Sequence, residues 1–220
     1  MRRILPLTLN PDRDDRPAEY AFDPTYDPAM VRAFIEEYTE PGDVVFDPFA
    51  GFGTTLIEAE RLGRRPLGCE ILPDRARLVA ERLGDPDAIR CADVRDLTSM
   101  ELPPIDLCLS SPPYLLGSAK GVDPLTGHRA GTADYARYLR ELREIYAAVA
   151  ARSTPEARIV INVANLAVGD ERTTFAWDLA AELRRELPFE HEVVLDWDRP
   201  PEWLTQDYCL VFGTGRGLRL

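Results

Sequence analysis

The feature that most constrains this chain is an alternation, sustained over most of its length, of short apolar runs with longer segments whose apolar residues fall at helical spacing. Asp27 and Pro28 read as an N-cap and a first-turn proline; Val31, Phe34, Ile35 and Tyr38 then mark one helix face until Pro41 and Gly42 stop it. Residues 44–46 read as a strand ending at Asp47, and a glycine-bearing turn leads into a helix that closes near Gly63. Residues 66–70, 88–91 and 105–109 are further strands, with a helix from Pro73 to Gly84 between the first two. Beyond an irregular stretch at 115–131, Tyr135, Leu139, Leu142, Tyr146 and Val149 line one face of a long helix. A strand at 159–163, a helix carrying Phe175, Leu179, Leu183 and Leu187, and strands at 191–196 and 208–212 complete the pattern.

Strands separated by helices need crossover connections, which give a parallel sheet covered on both faces. The last two strands follow each other without a helix, which adds one antiparallel edge strand. The expected fold is α/β: a Rossmann-like, seven-stranded, mostly parallel sheet with helices on both faces. The pattern occupies the 220 residues, so a single domain over 1–220 with a short N-terminal arm is expected, without a separate target-recognition domain. No apolar run reaches the roughly 18 residues of a membrane span; residues 159–168 come nearest and contain Asn162 and Asn165. The first ten residues are too short and polar for a secretory signal, so a soluble, cytoplasmic protein without a membrane partner is expected.

Cys69, Cys91, Cys108 and Cys209 stand apart, each beside apolar residues, and read as small buried hydrophobes. His128 and His191 have no neighbour at metal-ligand spacing, so no metal site is expected. Asp and Glu outnumber Lys and Arg by 38 to 26, for a net charge of −12, which opposes non-specific attraction to a polyanion. Because Lys120 is the single lysine, any local positive groove has to be built from arginine.

The first strand turns into its helix through Asp47-Pro48-Phe49-Ala50-Gly51-Phe52-Gly53-Thr54-Thr55. Glycines there let the backbone approach a ligand at the carboxyl end of a strand, where open α/β sheets bind ligands. Glu70 follows Gly51 by 19 residues at the end of the next strand, where a carboxylate accepts hydrogen bonds from ribose hydroxyls. The third strand runs into Asp93-Val94. Asp47, Glu70 and Asp93 thus close successive strands on one rim, an arrangement that favours a nucleoside-bearing cofactor. A dinucleotide fingerprint would need glycine where Leu56 stands.

The fourth strand ends in Ser111-Pro112-Pro113-Tyr114. Two prolines fix the backbone and remove two amide donors, so the local carbonyls face outward as acceptors. An exocyclic base amine is a poor nucleophile because its lone pair is delocalised into the ring. Acceptance of its two N–H groups by Ser111 and the Pro112 carbonyl favours a localised nitrogen, while the Tyr114 ring stacks on a base swung out of its helix.

The run Asp-Pro-Phe-x-Gly-x-Gly-Thr-Thr at 47–55, followed by Ser-Pro-Pro-Tyr at 111–114, resembles the N4-cytosine/N6-adenine class of S-adenosylmethionine-dependent DNA methyltransferases. The resemblance implies S-adenosyl-L-methionine as cofactor, its methionine part held by Asp47, Gly51 and Gly53, its ribose by Glu70 and its adenine by Asp93, with Pro48, Phe49, Thr54 and Val94 as further cofactor-binding residues. It implies DNA as substrate, as in restriction-modification methylases; the serine form of the tetrapeptide points to cytosine N4, with adenine N6 as alternative. Methylation of RNA bases, and a non-catalytic cofactor-binding subunit of a nucleic-acid-modifying complex, stay open, as do a homodimer and a partner subunit. Asp23-Pro24 stands where the family often carries His-Pro. Substrate contacts fall to residues 115–131, with Lys120, His128 and Arg129, and to Arg2, Arg3, Arg13 and Arg16 of the arm. Trp177, Trp197 and Trp203 read as core or edge packing, with Trp197-Asp198-Arg199 and Trp203 as an alternative flank of the base pocket. Arg64-Arg65 and Arg184-Arg185 read as solvated helix ends.

Overall fold

The computed structural model describes residues 3–8, 27–115, 122–127, 134–199 and 204–215. Its elements run β1 (Ile4–Leu7), α1 (Pro28–Tyr38), β2 (Val44–Asp47), α2 (Thr54–Arg61), β3 (Arg65–Glu70), α3 (Pro73–Ala80), β4 (Ile89–Cys91) and β5 (Ile105–Ser110). The second half contains α4 (Tyr135–Arg152), β6 (Ser153–Val168), β7 (Glu171–Thr173), α5 (Phe175–Leu183), β8 (Phe189–Trp197) and β9 (Leu204–Gly213).

Local chemistry explains the helix starts. Asp27 accepts a hydrogen bond from the Ala29 amide at 2.6 Å with Pro28 in the first turn, and Asp134 accepts from the Arg137 amide at 2.6 Å. In the buried strands, neighbouring side chains go to opposite faces. Phe46 and Cys108 join Tyr138, Leu142, Tyr146, Phe175 and Leu179 of α4 and α5 on one side. Val45, Leu107 and Val160 meet Met30, Val31, Phe34 and Ile35 of α1 on the other. Leu56 and Ile57 of α2 pack with Ala76 and Val79 of α3 and with Ile89.

The sheet order is β1-β8-β9-β6-β5-β2-β3-β4, with β7 paired to β6. β2, β3, β4, β5 and β6 are mutually parallel, and β9 runs antiparallel to both β6 and β8. The α/β class with helices on both faces is as the pattern predicts, and all seven expected strands are present. Two particulars differ. The described residues form nine strands rather than seven, because β1 is a short apolar piece interrupted by Pro6 and the polar β7 has no apolar run. The antiparallel strand is interior rather than at the edge: α5 carries the chain past one vacant position to β8, and β9 returns into the gap, leaving β1 and β4 at the rims.

Cys69, Cys108 and Cys209 are buried as expected, and burial pushes the Cys69 thiol up to about 12; Cys91, at the end of the rim strand β4, is exposed. Arg65 begins β3 rather than ending a helix, and Arg64 donates to the carbonyls of Thr39 and Leu62. Trp177 is 44% exposed and lies over Tyr208, with ring centroids 4.8 Å apart. Among the described residues no helix is long and apolar enough to cross a membrane. Arg2, Arg13, Arg16, Asp23, Pro24, Lys120, His128, Arg129 and Trp203 lie outside the described residues.

Candidate active site

Between β2 and β5 the chain order reverses direction across the sheet, since β2 continues to β3 on one side and β5 to β6 on the other. Such a switch point opens a crevice at the carboxyl ends of the strands. Asp47 ends β2, Glu70 ends β3, Asp93 follows β4 by two residues, and Ser111 follows β5.

The turn after β2 is held from beneath by two carboxylates. Asp47, fully buried, accepts from the Phe49 amide at 3.0 Å and from the Thr55 hydroxyl at 2.8 Å. Glu70 accepts from the Gly51 amide at 2.9 Å through one oxygen and from the Leu72 amide at 2.8 Å through the other. Burial raises the Glu70 pKa, against the lowering effect of those two amides. Pro48 is buried, and the ring of Phe49 stands edge-on to Tyr146 at 6.3 Å.

Both glycines of the turn need left-handed backbone, with φ of 54° at Gly51 and 81° at Gly53. They differ in what surrounds them. A Cβ on Gly51 would meet only the Phe49 carbonyl, at 3.9 Å, so the outer face of the loop is open. A Cβ on Gly53 would stand 2.7 Å from Val79 Cγ1, so this glycine serves the packing of α3 against the loop. Thr54 opens α2, which directs the positive end of its dipole into the crevice.

At the third rim position the Asp93 carboxylate is already engaged. It caps the turn that follows through the Arg95 amide at 3.0 Å and is bound by the Arg95 guanidinium, which also reaches Glu141 at 3.5 Å. Burial raises the Asp93 pKa but the Arg95 hydrogen bonds and charge outweigh it, for a net lowering. Val94 is buried in the core beside α4.

Ser111 to Tyr114 is anchored chiefly to α4. The Ser110 and Tyr146 hydroxyls meet at 2.8 Å, fastening the end of β5, and the Tyr138 hydroxyl donates to the Pro113 carbonyl at 2.5 Å. The Tyr114 ring meets Phe175 of α5 edge-on, centroids 5.4 Å apart. Burial and the charge of Asp207 raise the Tyr114 hydroxyl pKa, opposed by hydrogen bonds with the Ser111 side chain and the Ala164 backbone. Thr55 bridges the two halves of the site: it donates to Asp47, and its hydroxyl also lies 3.4 Å from the Leu109 carbonyl of β5.

The structure thus joins Gly51 to Glu70 by a direct hydrogen bond, ties Asp47 to Phe49 and Thr55 of the same turn, and sets Ser111 to Tyr114 across the switch point from them. Sequence reasoning assigned no role at the site to Thr55, Tyr138, Tyr146 or Asp207; Thr55 stood within the quoted motif, and Asn162 and Asn165, amides inside an apolar run, carried a signal of polar contacts there. An arginine-lined groove is present, with a volume of about 430 Å³, but on the α1–α3 side of Thr54. There Arg32 and Arg61 both pair with the buried Glu58, at 3.0 and 2.7 Å, and Arg82 completes the lining.

Residues 9–81 match the N6_N4_Mtase family model, described as DNA methylase. Over 59 residues the chain is 41% identical to the Type II methyltransferase M.XycI of Xanthomonas campestris pv. cyanopsidis, a stretch that is 27% of this chain and 20% of that protein. The chain thus spans about a fifth of the length of this curated relative. Its fold is shared with an S-adenosylmethionine-dependent methyltransferase from Clostridium acetobutylicum, with a TM-score of 0.57 at 10% identity over 84% of this chain and 89% of that one. It is likewise shared with the M protein of the Type I restriction enzyme EcoKI, with a TM-score of 0.58 at 19% identity over 86% of this chain and 43% of that one. The amino-methyltransferase resemblance read from residues 47–55 is therefore found again in the part of the chain that holds the glycine turn.

Proposed function

We propose that this chain transfers a methyl group from S-adenosylmethionine to the exocyclic amino nitrogen of a base in DNA, cytosine N4 foremost and adenine N6 second. The observation that carries the reading is the juxtaposition, across one switch point, of the glycine turn braced by Asp47 and Glu70 with the diproline segment at Ser111. The turn fits the cofactor: its outer face is open at Gly51, and the start of α2 suits a carboxylate.

When bound, S-adenosylmethionine supplies an electrophilic methyl group on a sulfonium. Glu70, with lone pairs beyond those given to Gly51 and Leu72, accepts from the ribose hydroxyls. Asp93 accepts from the adenine amino group once Arg95 turns toward Glu141. Ser111 and the Pro112 carbonyl accept the two N–H groups of the target amine and aim its lone pair, and Tyr114 stacks on the base. Catalysis on this reading is positioning and electrostatics, without a covalent enzyme intermediate.

The test is incubation with cofactor and either DNA or RNA, followed by mass spectrometry of the nucleosides. N4-methylcytosine in DNA is the expected product. N6-methyladenine would move the target base, methylation confined to RNA would move the polymer, and no methylated base despite cofactor binding would remove the reading. Ser111→Ala is expected to lower kcat by about 10²- to 10³-fold, the scale for one preorganised hydrogen-bond partner, with cofactor Kd unchanged. Equal losses in both would refute the role given to Ser111.

A further inference from the structure

One buried titratable group on the catalytic rim has no part in that scheme. Asp207 lies near the start of β9, at the edge where β6 and β8 end, because β9 runs antiparallel to both; its register partners are Ala164 and Leu195. It is 8% exposed. One oxygen accepts from Asn162 Nδ2 at 2.7 Å and the other from Trp197 Nε1 at 3.0 Å. Cys209 and Val211, on the same face of β9, are apolar and fully buried, so the sheet tolerates hydrocarbon there. A buried carboxylate is costly where an apolar residue fits, and no cation pairs with it among the described residues.

Resting on the proposed function, we propose that Asp207 is a positioning residue for the target-base side of the site: its carboxylate clamps the ends of β6 and β8 together and, through Ala164, fixes Tyr114 beside Ser111. Three observations support the clamp. Asn162, Asp207 and Trp197 bring three separate strands together at one point. Ala164, directly opposite Asp207, acts through its backbone on the Tyr114 hydroxyl and, with the Ser111 side chain, opposes the burial and the Asp207 charge that raise the Tyr114 pKa. Both side chains hydrogen-bonded to the carboxylate are donors, so the ionised form accepts from both at full, charge-assisted strength; a neutral acid keeps only a weaker acceptor on its hydroxyl oxygen, and an amide sets its N–H group against one of them.

Burial raises the Asp207 pKa to about 6, against the lowering effect of Trp197 and Asn162. The titratable groups facing it among the described residues are the Tyr114 hydroxyl and the Cys209 thiol, both kept protonated by burial, while α1 presents Met30. Clamped and unclamped forms therefore exchange near pH 6.

The test compares wild type, Asp207→Asn, and the exchange Asn162→Asp/Asp207→Asn. In the exchange, the amide placed at position 207 can donate to the carboxylate placed at position 162 while its carbonyl accepts from Trp197. We expect Asp207→Asn to lose at least 10-fold in kcat with cofactor Kd unchanged, and the exchange to recover most of that loss. Wild-type kcat is expected to fall as pH drops through about 6, a limb missing in Asp207→Asn. Wild-type kcat and pH profile in Asp207→Asn, or parallel losses in cofactor affinity and kcat, would overturn the proposal. The Trp197 indole N–H resonance reads the clamp without reference to turnover: it should shift with a midpoint near pH 6 in wild type and not in Asp207→Asn. A chain inactive on every nucleic acid would thus sink the functional reading, while an indole that does not titrate would sink the clamp.

Discussion

Replacing Gly53 by alanine tests the claim that this glycine serves packing as well as turn geometry. Two costs are expected. An L-residue held at φ 81° loses about 1–2 kcal/mol relative to glycine. The new methyl group would stand 2.7 and 2.9 Å from the two γ-carbons of Val79, an overpacking that costs about 1–3 kcal/mol more. Gly53→Ala should therefore lose roughly 2–5 kcal/mol of stability in urea unfolding. Val79→Ala alone removes two methyl groups from a fully buried site and should lose roughly 1.5–3 kcal/mol. In the double variant the alanine Cβ occupies the space that the valine methyls leave, and only the backbone cost remains in full. The two changes should then be coupled by about 1–3 kcal/mol in the stabilising direction. Additivity within about 0.5 kcal/mol would refute the packing argument. An unaltered Gly53→Ala would refute the left-handed turn as well.

Two further outcomes follow from other contacts. Tyr138→Phe deletes the hydroxyl that donates to the Pro113 carbonyl from a side chain 1% exposed, so the protein should lose about 1–3 kcal/mol in urea unfolding, and kcat should fall while calorimetric cofactor affinity holds. The Asp207 pKa rises from 3.8 to about 6 on folding, so the native state binds that proton more tightly than the unfolded chain. Its stabilisation is then fully present below about pH 3.8 and is lost as pH rises through about 6, an amount of about 3 kcal/mol. The stability of wild type relative to Asp207→Asn should therefore decline across that window; a rise with pH would contradict the burial argument.

What was legible in the sequence is what local chemistry controls. The Asp27 cap, the apolar periodicity of α4 and the glycines at 51 and 53 act within a few residues of themselves, and each lies where its pattern predicts. The rim positions of Asp47 and Glu70 were legible because strand ends can be counted. What a carboxylate meets once it is there was not: Arg95 folds back over Asp93, and nothing in the run Asp93-Val94-Arg95 distinguishes that contact from an open acceptor. Asn162 and Asp207, 45 residues apart, meet only because β9 pairs with β6, and their partner Trp197 arrives from a third strand. β1 and β7 were missed for a related reason, since their pairing energy comes from strands far away in the chain or from a hairpin with little apolar content.

The interior position of β9 also sets a timetable for the nascent chain. β1 leaves the ribosome well before β8 and β9, yet its register partner is β8, and β8 joins the rest of the sheet through β9. At elongation rates of about 5–20 residues per second, roughly 10–40 s separate the synthesis of Ile4 from that of Gly213. The block from β4 to β6 can assemble during that interval with the edge of β6 open to solvent. Residues 204–213 are then a keystone, and a released chain that ends shortly before them would leave two unjoined pieces of sheet, each offering a bare strand edge to whatever meets it first.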